Sequence, residues 1–253
     1  MNRFFVSPSD IIGNSISITK KDDIKHIVKA LRLSLKDTLE ISDSLEYEYI
    51  GEIDFISQDR ISLLILEKNK FLREPINKLD LFQGMPKAGK MEYIVQKTVE
   101  IGVNRIIPVF TERSIPLEKK NSNNKVERWQ KISDEAAKQC KRGLIPTIGE
   151  PLHFNAMLDL LKSYDFVIFP YENEKGATMK DALRDISANR LQAEKKSSGR
   201  YAIIIGPEGG FSNYEAEALA NIGAYSVSLG KTILRTETAG AVAIAMIMYE
   251  LEL

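Results

Sequence analysis

The chain holds a single cysteine, Cys140, in 253 residues, so no internal disulfide can form. A reducing, cytoplasmic setting is the simple expectation. Histidine is nearly as scarce. His26 and His153, with Cys140, cannot supply the usual His/Cys zinc sites, and no metal is expected. Basic and acidic residues balance at 35 each, which excludes a globally basic nucleic-acid binder and leaves local patches open. No apolar run reaches membrane-spanning length, so no membrane partner is expected; Ala241 to Met248 reads as a buried helix. The N-terminal Met1-Asn2-Arg3-Phe4-Phe5-Val6 is too poor in apolar residues for a signal peptide. Common α/β enzyme signatures are missing too. No glycine-rich Rossmann fingerprint follows a strand, and no Gly-x-Ser-x-Gly elbow occurs. Gly230-Lys231-Thr232 ends like a P-loop, but Tyr225 stands where the phosphate cradle needs glycine.

What the chain does have is Tyr201-Ala202-Ile203-Ile204-Ile205-Gly206-Pro207-Glu208-Gly209-Gly210-Phe211. An apolar, branched run broken by Gly-Pro reads as a strand covered on both faces. Ligands in open α/β sheets bind just beyond the carboxyl ends of such strands, and glycines let a backbone pass close to them. Successive N–H groups in the turn can form a concave donor surface, and Glu208 can cap neighbouring N–H groups. Ser212-Asn213-Tyr214-Glu215 has capping-box form, with Gly223 as the helix stop. Val227-Ser228-Leu229 reads as another strand ending in glycine at Gly230, followed by Lys231 to Ala239. Thr236 or Thr238 suits the start of a final helix. Two such loops suggest one composite small-molecule site.

Upstream, residues 1–72 look strand-rich: 16–18, 38–42, 49–53 and 61–65 are short strand candidates, with a helix from about Asp22 to Leu31. A small β-barrel with a helix is the natural expectation. Glu67 to Lys78, charged and containing Pro75, reads as a linker. From Leu79 onward strands and helices alternate, which predicts a mostly parallel sheet with helices on both faces. Met91, Ile94, Val95, Thr98 and Ile101 mark one helix face, closed by Gly102; Val126, Trp129, Ile132, Ala136 and Cys140 mark another. Strands are expected at 79–83, 106–110 and 166–169, and Lys195 to Arg200 reads as a solvated loop. Basic residues gather at Lys20 to Lys36 and at Lys119, Lys120, Lys125, Arg128, Lys131, Lys138, Lys141 and Arg142. Such runs are usually solvated faces, but phosphate contact is the alternative.

These pieces, in this order, resemble the RsmE family of ribosomal RNA methyltransferases in the SPOUT superfamily, almost end to end. Arg3-Phe4-Phe5-Val6 and His26 to Leu33 are similar to that family's PUA-like barrel. Lys90 to Lys97 with Glu100-Ile101-Gly102-Val103, Thr111-Glu112-Arg113-Ser114, Arg128-Trp129 and Glu135 to Arg142 resemble its catalytic domain. Ile205 to Phe211, and Leu229-Gly230 with Ile233 to Ala239, are the most specific matches. The resemblance implies an α/β SPOUT domain with a deep trefoil knot over 73–253, preceded by a PUA-like RNA-binding β-barrel over 1–72. It implies S-adenosyl-L-methionine as cofactor, a homodimer, and methylation of a uridine at N3 in 16S (small-subunit) ribosomal RNA, as free RNA or in the 30S subunit. Pro170, Tyr171, Glu172, Gly206, Pro207, Glu208, Gly209, Gly210, Leu229, Gly230, Ile233, Leu234 and Thr238 would bind the cofactor. Arg235 would stabilise the anionic ring, and Glu237 would orient Arg235 or act as base. Lys25, Lys29, Arg32, Arg113, Arg128, Lys138, Lys141 and Arg142 would contact RNA. The family usually carries a basic residue where this chain has Thr232, with Lys231 adjacent. Two rivals remain: a knotted methyltransferase for another RNA site, and a non-catalytic RNA-binding or assembly factor.

Overall fold

The computed structural model describes residues 2–87, 89–114, 122–192 and 199–252. Lys119, Lys120 and the loop positions 195–198 lie outside them. Two compact units are present: Met1–Glu74 with Ala137–Ile145, and Pro75–Ala136 with Pro146–Leu253. No composition break marks the return of Ala137–Ile145 to the first unit, because α-helical periodicity runs straight through the crossing.

The first unit carries β1 (Arg3–Phe5), β2 (Ile11–Ile12), β3 (Ser15–Ile18), α1 (Lys21–Lys25), β4 (Thr38–Ser42), β5 (Tyr47–Ile56) and β6 (Ile61–Lys70). They form a sheet ordered β1-β4-β5-β6-β3-β2, parallel at β1–β4 and antiparallel elsewhere. Alternating residues supply the core, with Ile16 and Ile18 from β3, Leu39 and Ile41 from β4 and Ile61 and Leu63 from β6 all buried. The expected helix divides in two: after α1, a turn of π-helix covers His26–Ala30 and buries Ile27. Glu67 to Lys70, read as linker, continue β6 because they pair with Tyr47 to Ile50. Lys68 also lies 4.0 Å from the centre of the Tyr47 ring, a cation–π contact that favours the extended form.

The segment Ala137–Ile145 is held in this unit by charge. Arg3 donates to the carbonyls of Lys141 (2.9 Å) and Arg142 (3.0 Å) and pairs with Glu48. Arg142 corrects the sequence reading. Its side chain is 7% exposed and bound to Glu74 at 2.8 Å, so it is not presented to RNA. The same carboxylate accepts from the N–H groups of Gly143 (2.7 Å) and Leu144 (3.0 Å). Glu74→Ala therefore removes the carboxylate that serves a buried guanidinium and two N–H groups. The expected loss is about 3–5 kcal/mol of unfolding free energy by chemical denaturation; a loss below ~1 kcal/mol would contradict the anchoring role.

The second unit carries β7 (Lys78–Gly84), α2 (Lys90–Ile101), β8 (Arg105–Phe110), α3 (Ser122–Gln139, its last residues in the first unit), β9 (Thr147–Ile148), β10 (Leu152–His153), α4 (Phe154–Leu161), β11 (Phe166–Pro170), α5 (Met179–Gln192), β12 (Arg200–Ile205), α6 (Asn213–Asn221), β13 (Tyr225–Val227) and α7 (Thr236–Glu252). Every ladder of its sheet is parallel, in the order β10-β8-β7-β12-β11-β13, with β9 also on β8. The central strand β12 is buried throughout from Tyr201 to Ile205. Ala202 and Ile204 pack with Phe82 and Phe169 against Phe154 and Met157 of α4 and Leu219 of α6. The alternate residues turn to the other face, where α7 crosses β12 and β7 and packs against α2 and α5. Gly102 ends α2 at φ 112°, a left-handed cap that only glycine adopts easily. The strand expected over 227–229 pairs with β11 only as far as Val227; Ser228 bridges to Thr178 instead, and the loop begins at Leu229. On α3, Trp129 and Ala136 are buried, while Val126 and Ile132, and Cys140 just past its end, are only half-buried. Among the described residues, no helix is long and apolar enough to cross a membrane.

Candidate active site

The carboxyl ends of β11, β12 and β13 open onto one cavity of about 650 Å³, a size suited to a drug-sized ligand. Pro170, Tyr171 and Glu172 follow β11; Gly206, Pro207, Glu208, Gly209 and Gly210 follow β12; Leu229, Gly230, Ile233, Leu234 and Arg235 come from the loop after β13. Twelve of the thirteen cofactor positions expected from sequence thus meet at one place, with Arg235 beside them. Thr238 does not line it. It lies in the first turn of α7, where its N–H is used on the carbonyl of Arg235.

The turn after β12 is built from local necessity. Gly210 donates its N–H to Pro207 O at 2.9 Å and sits at φ 66°. A Cβ there would collide with the Glu172 carboxylate. Gly84 opposes it from the end of β7: a Cβ would come within 2.7 Å of the Pro207 backbone nitrogen. Phe211 is buried and meets Phe169 edge-on at 6.1 Å, which pins the end of the turn to the core. Ser212 and Glu215 then close the capping box of α6. Glu215 also accepts from Glu112 N–H at 2.8 Å, bringing the loop after β8 against the turn. From that loop Arg113, expected at RNA, donates to Gly209 O at 2.9 Å. It braces the glycine turn instead of standing clear of it.

Thr236 opens α7 differently from a helix cap. Its hydroxyl donates to Gly206 O at 2.7 Å and accepts from Gln83 Nε2 at 2.9 Å, tying the ends of β7, β12 and α7 together. Glu208 accepts from Lys87 N–H at 3.1 Å, as the capping reading expects. Lys90 then joins two segments, with its Nζ 3.0 Å from Glu208 Oε1 and 3.0 Å from Glu237 Oε2. Burial pushes the Glu208 carboxyl up, but the N–H groups of Glu208 and Lys87 and the Lys90 ammonium outweigh it and hold the group below its ordinary value. Glu237 is lowered by its own N–H, against burial, and then by Lys90 and Arg235. The ion pair at Glu237 is therefore with Lys90, and a carboxylate so stabilised is a weak proton acceptor at neutral pH. Of the two roles expected for Glu237, this pairing fits the one that holds the start of α7. Glu174, on the cavity wall, is held ionised by the N–H groups of Gly176 and Ala177 at 2.8 and 3.1 Å.

The cavity's chemistry is mixed. Glu172 and Glu174 offer negative charge, Lys231 and Arg235 positive charge, and Leu229, Ile233 and Leu234 apolar surface. A zwitterionic amino acid with a sulfonium and an adenine ring finds a complement to each part there. Lys231 and Thr232 are exposed on its rim. Sequence reasoning missed Lys90 as a site residue, although a signal exists: a lysine opening a helix lies at the positive end of the dipole, where acids are favoured. Gln83 and Ser228 carry no comparable signal. Of the remaining RNA candidates, Lys25, Lys29 and Arg32 are exposed, Arg32 at φ 55°. Arg128 pairs loosely with Glu92 at 3.3 Å, Lys138 with Asp23 at 2.7 Å and Lys141 with Glu40 at 3.0 Å.

Residues 73–248 match the family model described as an RNA methyltransferase domain. Ribosomal RNA small subunit methyltransferase E of Bacillus subtilis is 33% identical over 233 residues, spanning 92% of this chain and 89% of its own. The protein of the same name from Buchnera aphidicola subsp. Schizaphis graminum is 34% identical over 250 residues, spanning 96% and 92%. Among solved structures, a ribosomal RNA small subunit methyltransferase E from Neisseria gonorrhoeae bound to S-adenosyl methionine has a TM-score of 0.82 at 25% identity, covering 98% of this chain and 97% of that one.

Proposed function

We propose, from the premise that this chain belongs to the RNA methyltransferase family, that it methylates N3 of a uridine in small-subunit ribosomal RNA with S-adenosylmethionine as donor. One observation carries this reading: three strand-end loops converge on a single cavity whose glycine turn, acids, cations and apolar rim suit that cofactor. Bound there, it supplies an electrophilic methyl carbon on a sulfonium. Glu172 faces Gly210 and offers a counter-charge within the cavity. Leu229, Ile233 and Leu234 offer the apolar surface for adenine.

The protein's remaining tasks are to place the uridine and to manage its N3 proton. Arg235 lines the cavity and is always charged, so it stabilises the ring anion formed as that proton leaves. Glu237, held by Lys90, keeps the start of α7 in place and leaves the proton to solvent or to an RNA group. N3 lies on the Watson–Crick edge, so the target uridine is unpaired or extruded. The family's trefoil knot and homodimer belong to the same proposal. Ile233 lines the cavity yet is 84% exposed, and Tyr249 on α7 is 72% exposed, apolar surface that a second copy would cover. The first unit is proposed as the PUA-like RNA-binding domain of a cytoplasmic enzyme acting on RNA or the 30S subunit.

Exposed Lys25, Lys29 and Arg32 support that role. Their combined replacement by alanine is expected to weaken RNA binding and lower its log–log salt slope by about 0.7 for each lost phosphate contact, with cofactor affinity unchanged. RNA affinity equal to wild type across several salt concentrations would remove them from the interface. The activity itself is tested with purified protein, donor and small-subunit RNA, followed by nucleoside analysis. N3-methyluridine is the expected product. A different methylated nucleoside redirects the reading to another RNA site, and cofactor binding without any transfer favours an assembly factor.

A further inference from the structure

Resting on the methyltransferase reading, we infer that Lys90 is a positioning residue for the transfer: its ammonium latches the glycine turn and the start of α7 to the first helix of the catalytic unit. The lysine occupies an unfavourable place. It is the first residue of α2, behind a glycine that gives no side-chain cap, and its positive charge adds to the positive end of the helix. A local rule broken in this way calls for a compensating gain elsewhere.

The compensation comes from two different segments. Glu208 of the turn after β12 and Glu237 of α7 each approach the ammonium at 3.0 Å. The two carboxylates, Glu237 first and then Glu208, raise the affinity of Lys90 for its proton and keep it charged. Glu208 simultaneously holds the N–H of Lys87 at 3.1 Å, so the latch reaches both the loop before α2 and the helix itself. Lys90 also lines the cavity. Only Thr236 separates Glu237 from Arg235, and the carbonyl of Arg235 accepts the N–H groups of Thr238 and Ala239 at 2.9 and 2.8 Å. Fixing Glu237 therefore fixes the backbone from which Arg235 reaches the cavity. Fixing Glu208 fixes the turn opposite. Without the cation the two carboxylates repel one another, and both sides of the cavity lose a common reference point.

The consequence is kinetic and pH-dependent. Both carboxyls are held below their ordinary values, so the latch is closed at neutral pH and is lost only as pH falls through those lowered values. In Lys90→Met no latch is left for protonation to open, so the acid limb that the latch sets is absent from the kcat profile. At neutral pH, kcat falls roughly 10- to 100-fold through misplacement while the RNA KM is unchanged. Lys90→Arg, which keeps the charge, restores most of kcat and the acid limb. Glu237→Gln, which removes one arm of the latch, gives the second reading should Lys90→Met fail to fold, with kcat again reduced and KM unchanged.

The test is to measure cofactor binding by calorimetry and kcat and KM against pH for these proteins. Wild-type kcat and acid limb in Lys90→Met overturn the inference alone. So does a loss of melting temperature and kcat with an unmoved acid limb and no rescue by arginine, the signature of mere structural damage. Wild-type protein that binds no cofactor overturns the methyltransferase reading and the inference with it.

Discussion

Arg235→Ala is expected to lower kcat by about 10²–10³-fold, the usual cost of removing one group that stabilises a developing anion. Cofactor affinity should change less than about threefold, because Arg235 is assigned to the ring and not to the donor. The substitution is clean by geometry. Arg235 is exposed, and its structural part, the carbonyl that accepts the N–H groups of Thr238 and Ala239, survives truncation of the side chain. Arg235→Lys should recover only part of the loss, since a point charge replaces a planar fork of donors. Single-turnover methylation with saturating donor measures this directly. A kcat within about threefold of wild type would remove Arg235 from the reaction and leave anion stabilisation to Lys231 or to a partner subunit.

The second large effect lies in the glycine turn. Gly210→Val is expected to weaken cofactor binding by at least roughly 100-fold in calorimetric titration. Two costs act together. The backbone sits at φ 66°, which a β-branched residue reaches only with strain, and the added Cβ runs into the Glu172 carboxylate. The turn or Glu172 must move, and either movement deforms the cavity wall. Gly209→Ala is the matched control. Gly209 is not in the left-handed region, and its added Cβ would lie 3.1 Å from Arg113 Cβ, a tight contact relieved by a small shift of the exposed loop that carries Arg113. Its effect should stay within about tenfold, or ~1.4 kcal/mol. Equal and small effects at both positions would show that the turn does not touch the cofactor.

Much of this site is legible in the sequence because its elements obey strong local rules. The run Tyr201 to Ile205 cannot be half-exposed, Gly-Pro must end it, and Ser212 with Glu215 must open a helix. Those constraints fix where the turn lies and that it faces a cavity at strand ends. The loop after β13 is less determined: Ser228 has strand-like character and forms an isolated parallel bridge with Thr178, while its hydroxyl bonds around Gly230 and turns the chain away. Partner choice among charges is not legible at all. Arg142 and Lys138 belong to the same basic run, but the first is buried on Glu74 and the second pairs with Asp23, both partners far away in sequence. Periodicity marks a helical face and cannot say which distant carboxylate meets it. The passage of Ala137–Ile145 into the first unit escapes for the same reason: its anchors, Arg3, Glu40, Ser42 and Glu74, are tertiary. Lys90 is the exception. Its conflict with the α2 dipole is visible in the sequence once the helix start is known, and points to the paired acids before they are seen.

The most direct test of the central claim is nucleoside mass spectrometry on small-subunit ribosomal RNA from cells with and without this gene, complemented by wild type or by Gly210→Val. The expected result is that N3-methyluridine disappears on deletion, returns with wild type and does not return with the Gly210 variant. N3-methyluridine that persists undiminished in the deletion strain would contradict it.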